Sequence, residues 1–158
     1  MNRTLNGLRR FPKLIAWLET GGYFIGFMAI AYAVKPELVN LNLAPSPSQL
    51  LAIALVAFAI PALTEECVFR GLLTPAFELR WACLSTLAYV AWHPLEAYVF
   101  LPAALPLFTD VIFLALVALL GVLCWIAFYR TRSLWASIIL HWLVVVMWKA
   151  VSGMSFAF

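Results

Sequence analysis

Two carboxylates stand side by side in an apolar run, Thr64-Glu65-Glu66-Cys67-Val68-Phe69-Arg70-Gly71. A charged side chain at mid-bilayer costs roughly 2.5–3.5 kcal/mol on insertion scales, so such groups persist when paired, turned inward or chemically used. Glu66 and Arg70 are four apart with the acid first, the order that lets them pair on one helix face. Glu65 lies about 100° around a 3.6-residue helix from Glu66 and needs another partner. Pro61, four residues upstream of Glu65, removes one backbone hydrogen bond and predicts a kink just before the acids. The chain has only two histidines, His93 and His141, both in or at the ends of apolar runs. A carboxylate with two imidazoles can activate water, one group accepting its proton while the others hold the reactants. The plainer alternatives are an ion-pair cluster bracing a bundle and histidines that merely hydrogen-bond between helices.

The elements that must position these groups are apolar spans. Residues 14–34 form a first run containing Glu19. Residues 35–48 read as a loop. A second run, 49–73, carries the acids and Arg70. A third starts at Trp81 and meets His93 and Pro94. Residues 95–110, with Pro102 and Pro106, read as a Pro-rich interfacial or re-entrant segment. Runs 111–129 and 134–151 follow, separated by a basic turn. The expectation is an all-α, polytopic transmembrane bundle of about five spans. It comprises a basic N-terminus (1–13), an accessory helix (14–34), a core over 49–151 and a short tail (152–158). At a rise of ~1.5 Å per residue, Glu65 lies roughly 12 Å, His93 roughly 20 Å and His141 roughly 14 Å in from the inner helix ends, nearly one layer.

Composition agrees. Hydrophobic residues make up 66 % of the 158 and charged residues 11 %, against about half and a quarter in soluble domains. That balance excludes a disordered chain, a disulfide-stapled secreted domain and a nucleic-acid binder, and makes the lipid bilayer the partner. Cys67, Cys83 and Cys124 are scattered, without a CxxC, and read as packing residues. The first run is too long, and Glu19 too polar, for a cleaved signal peptide. With the N-terminus inside, seven Lys or Arg (Arg3, Arg9, Arg10, Lys13, Arg80, Arg130, Arg132) face the inner side and Lys35 alone the outer loops. The expected placement is an integral cell-membrane (inner, cytoplasmic) protein, N-terminus cytoplasmic and C-terminus outside.

The order Glu65-Glu66-x-x-x-Arg70, Tyr89-x-x-x-His93, His141-x-x-x-Val145 over residues 49–151 resembles the CAAX-protease and bacteriocin-processing (CPBP) family, also called the abortive-infection domain, which are glutamic-type intramembrane proteases. Two positions depart from the family pattern. Tyr89 stands where Phe is usual, and Val145 where Asn is common, which removes a hydrogen-bond donor. The resemblance implies peptide-bond hydrolysis with Glu65 as general base, His93 holding and polarising the water, and His141 donating to the oxyanion. Glu66 and Arg70 would support the site. It implies no cofactor and no metal. Trp148, seven residues after His141, is a candidate replacement donor, although a Trp near a helix end is more often an interface anchor or a core residue. Lys149 reads as snorkelling to the outer surface. The implied substrate is a membrane-tethered or hydrophobic protein tail or peptide, extended at the scissile bond because a helix hides its carbonyls. Prenylated tails, bacteriocin-type leaders and C-terminal sorting tails all fit. The rivals are a metal-dependent protease using His93, His141 and Glu65, and a non-catalytic immunity factor, scaffold or proton-conducting element. Oligomeric state is not set by the sequence.

Overall fold

The termini of the helices follow from local chemistry. A computed structural model describes residues 3–38 and 45–152; of the tail expected at 152–158, residues 153–158 lie outside the described part, as do 39–44 of the expected loop. α1 spans Arg3–Arg9 and α2 Leu14–Val34. α3, Pro47–Leu72, begins on a capping box. The Ser46 hydroxyl accepts from the Gln49 N–H at 3.3 Å, and the Gln49 side chain accepts from the Ser46 N–H at 2.8 Å, with Pro47 at the first helical position where no N–H is needed. α4 spans Leu79–Val99, α5 Leu105–Phe108, α6 Val111–Thr131 and α7 Leu134–Ser152. Asp110 caps α6 by accepting from the Phe113 N–H at 2.8 Å. Arg132, with φ of 57°, takes the left-handed conformation that stops α6 and turns the chain into α7. No strand occurs among the described residues.

Among the described residues four helices are long and apolar enough to cross a membrane: α2, α3, α6 and α7. α4 is equally long but less apolar, because its buried face carries Ser85, Thr86, Tyr89 and His93. α4 runs through Pro94 to Val99, so the Pro-rich stretch that leaves the helix is shorter than the sequence suggests. It forms a turn at Pro102–Ala104 and then α5. Ala104 and Phe108 are buried, so this stretch folds back onto the bundle. Large apolar side chains such as Leu14 and Val111 face outward (76 % and 80 % exposed), the surface that lipid tails accept at no cost.

α2 and α6 run antiparallel and are tied at both ends. Near one end Arg130 donates two hydrogen bonds of 2.8 Å to Glu19, which accounts for the acid in the first span. At the other, Lys35 bridges Asp110 (3.1 Å) and Glu37 (3.3 Å). The basic N-terminus is folded rather than trailing. The indole N–H of Trp135 donates to the Leu8 carbonyl at 2.7 Å, and Gly7 and Gly71 sit where a Cβ would meet Leu134 and Thr4 at 2.9 and 2.7 Å.

Candidate active site

The acids occupy an irregular part of α3. Pro61 offers no N–H, and its ring crowds the carbonyl four residues back, so an ordinary α-turn cannot persist through it. The disruption takes the form of two stretches of wide π-helical turns, Phe58–Glu65 and Cys67–Leu72; such turns concentrate at functional sites. Glu65 and Glu66 are both buried and diverge to different partners.

Glu66 makes its polar contacts through one oxygen, Oε1. It and Arg70 have no solvent exposure. Arg70 Nη1 is 3.0 Å from Glu66 Oε1, and Nη2 donates to the Gly121 carbonyl at 2.8 Å. The guanidinium also lies 4.6 Å over the Tyr89 ring. The same Glu66 oxygen accepts from His141 Nδ1 at 3.1 Å. Gly121 is needed at this crossing of α4 and α6, because a Cβ there would lie 3.1 Å from both Thr86 and Tyr89 and 3.3 Å from Arg70.

Glu65 is differently placed. Oε1 accepts from the Trp92 indole N–H at 3.1 Å. Oε2 is buried without a hydrogen-bond partner and lies 4.0 Å from His141 Nε2. That gap is too long for a direct bond and of a size one water molecule spans.

The hydrogen bonds assign the imidazole tautomers. A carboxylate accepts only, so His141 carries a proton on Nδ1 toward Glu66, and in that tautomer Nε2 is an acceptor. Tyr89 Oη lies 3.3 Å from that Nε2. His93 Nδ1 faces the Tyr89 carbonyl at 2.9 Å, which likewise makes Nδ1 the donor and leaves Nε2 as an acceptor. The Tyr89 ring packs edge-on to both imidazoles, with centroids 4.9 Å from His93 and 5.7 Å from His141.

Glu65, Tyr89, His93 and His141 all line one cavity of about 110 Å3, room for several water molecules. Phe27 and Met28 of α2, Leu116 and Leu120 of α6, and Val144 supply apolar wall. Val145 and Trp148 line it too, the latter with its ring 5.8 Å from Phe113. Lys149 does not snorkel outward: it is buried, lines the same cavity, and is attracted to Glu96 one turn beyond His93. Trp92 and Glu96 were not legible as site residues. Trp92 gave only the signal of an aromatic beside a histidine, and Glu96 that of an acid one turn from one. Of the cysteines, Cys124 is buried, Cys67 half-buried and Cys83 exposed, all as free thiols. Among the described residues no three His, Cys, Asp or Glu side chains come together as a metal-binding group.

Residues 47–147 match the family model described as type II CAAX prenyl endopeptidase Rce1-like. No curated protein and no solved structure matches the chain.

Proposed function

This chain belongs to the Rce1-like type II CAAX prenyl endopeptidase family and is an intramembrane protease, and from that premise we propose that it hydrolyses peptide bonds with a water activated by Glu65. One observation carries the reading. Of two adjacent buried carboxylates, Glu66 meets Arg70 and His141 through Oε1 and is not among the residues lining the cavity, while Glu65 lines the cavity that both histidines share. A carboxylate withheld from water is a stronger base than one in bulk solvent.

The roles follow from the donors and acceptors. Glu65 Oε2 takes a proton from the attacking water. His93 Nε2 accepts the second hydrogen of that water and aims its lone pair. The Trp92 indole fixes the Glu65 carboxylate. Glu66 fixes His141, whose Nε2 lies 4.0 Å from Glu65 Oε2, beside the reacting centre. The protonated Glu65 then gives its proton to the leaving amine, which restores the carboxylate. Arg70 balances Glu66 and takes no part in proton transfer.

The substrate is a membrane-tethered or apolar protein tail, with prenylated C-terminal tails the first class to try. Residues 49–151 carry the chemistry, and α2 serves as an accessory wall. With α4 crossing as a fifth span, the N-terminus is cytoplasmic and the C-terminus outside, in the cell membrane. The test is cleavage of a lipid-anchored peptide set by the purified protein in vesicles, with and without chelator. The expected result is chelator-resistant cleavage by the wild type and none by Glu65→Gln, which keeps size and burial. Equal cleavage by the two proteins refutes Glu65 as the base.

A further inference from the structure

Hydrolysis at this site needs a donor for the oxyanion, and most of the nearby donors are already engaged. His141 Nδ1–H is held by Glu66 and His93 Nδ1–H by the Tyr89 carbonyl, so in these tautomers both rings offer the cavity lone pairs at Nε2. The Trp92 N–H is on Glu65. Arg70 points away, to Glu66 and Gly121. Val145, one turn after His141 on the cavity wall, carries no donor. Trp148 and Lys149 line the cavity seven and eight residues beyond His141, about 10–12 Å along the helix at 1.5 Å per residue.

We propose that Tyr89 is a catalytic residue of this enzyme, its phenol O–H donating to the oxyanion of the tetrahedral intermediate. This rests on the hydrolytic reading above. Tyr89 is 1 % exposed, lines the cavity, and places its hydroxyl 3.3 Å from His141 Nε2. A phenol oxygen both donates and accepts. In the resting site its proton is directed at the Nε2 lone pair; as charge builds on the carbonyl oxygen, the hydrogen bond passes to that stronger acceptor. When His141 holds a second proton, Nε2–H donates to the Tyr89 oxygen and stands behind the same bond. No covalent bond to Tyr89 forms or breaks. The ring is held on several sides before substrate arrives: by His93, by His141, by Phe69 at 5.3 Å and by the Arg70 guanidinium. A donor fixed in advance in a water-poor site is the kind that stabilises a developing oxyanion most.

The test compares wild type, Tyr89→Phe, Tyr89→Phe/Val145→Asn, Trp148→Phe and Glu65→Gln in vesicles on one peptide that the wild type cleaves. Tyr89→Phe removes one oxygen. The expected result is a kcat fall of about 10²–10³ with KM and detergent melting temperature unchanged. The added Asn, on the cavity wall one turn from His141, regains part of the lost rate, and Trp148→Phe loses less than Tyr89→Phe. Tyr89→Phe within about threefold of wild-type kcat overturns the proposal, as does a loss accompanied by a lower melting temperature and not relieved by Asn. A full loss in Trp148→Phe with none in Tyr89→Phe moves the role to the indole. If Tyr89→Phe is active while Glu65→Gln is dead, this inference alone fails; the reverse pattern keeps Tyr89 and removes Glu65 as the base.

Discussion

Arg70→Met should unfold this protein at much lower temperature, and the size of the effect follows from what Arg70 touches. The guanidinium has no solvent exposure, pairs with Glu66 at 3.0 Å and donates to Gly121 at 2.8 Å. Met keeps most of the length and removes the charge, so Glu66 is left buried beside His141 alone. Breaking a buried pair by deleting one partner costs about 3–5 kcal/mol. At about 2–4 °C per kcal/mol for a chain of this size, the melting temperature should fall on the order of 10 °C. Glu66→Leu/Arg70→Met deletes both charges and should recover more than half of that loss, because no isolated charge remains. It should not recover activity, because His141 has lost the acceptor that holds Nδ1. Thermal unfolding in detergent and peptide cleavage on the same preparations read both. An unchanged melting temperature for Arg70→Met, or a double variant that melts lower than the single, refutes the reasoning.

Gly121→Ala would press a methyl against Thr86, Tyr89 and Arg70 at 3.1–3.3 Å; overpacking of this kind costs about 1–3 kcal/mol, and cleavage should fall with the melting temperature, whereas wild-type behaviour in both would contradict the close α4–α6 crossing. At the other end of the bundle, the Phe113 N–H and then Lys35 hold the Asp110 carboxyl below its ordinary range. A depressed folded pKa stabilises above the unfolded value, about 3.9, and that contribution disappears as pH falls through the folded value. Asp110→Asn keeps the helix cap but loses the charge. The melting-temperature gap between it and wild type should therefore be present at pH 6 and narrow as the pH falls below the unfolded value; a gap that does not change in acid would contradict the Lys35–Asp110 pairing.

The parts of this molecule set by local rules were legible in the sequence. The apolar runs marked the spans, and the i, i+4 spacing of Glu66 and Arg70 marked an ion pair now seen at 3.0 Å. A proline beside two acids marked a disturbed helix, though not that the disturbance would be π-helical. What depended on contacts between helices was not legible. Tyr89 read as a mild departure from a motif, because its bond to His141 joins residues 52 positions apart. Lys149 read as an interface residue because its attraction to Glu96 also crosses between helices. Gly121 gave no signal, since its role is to let α4 and α6 approach. The N-terminal stretch read only as a basic segment because Trp135, which holds it, lies at the start of α7.

The central claim is that an acid on α3 and imidazoles on α4 and α7 act as one unit on one peptide bond. Side chains that act as a unit are strongly non-additive in kinetics. The deciding measurement is kcat/KM for Glu65→Gln, His141→Gln and the double variant on one peptide in vesicles. The account predicts a double variant no slower than the slower single one. A double variant slower by the product of the two factors would show that the groups act separately, and would contradict it.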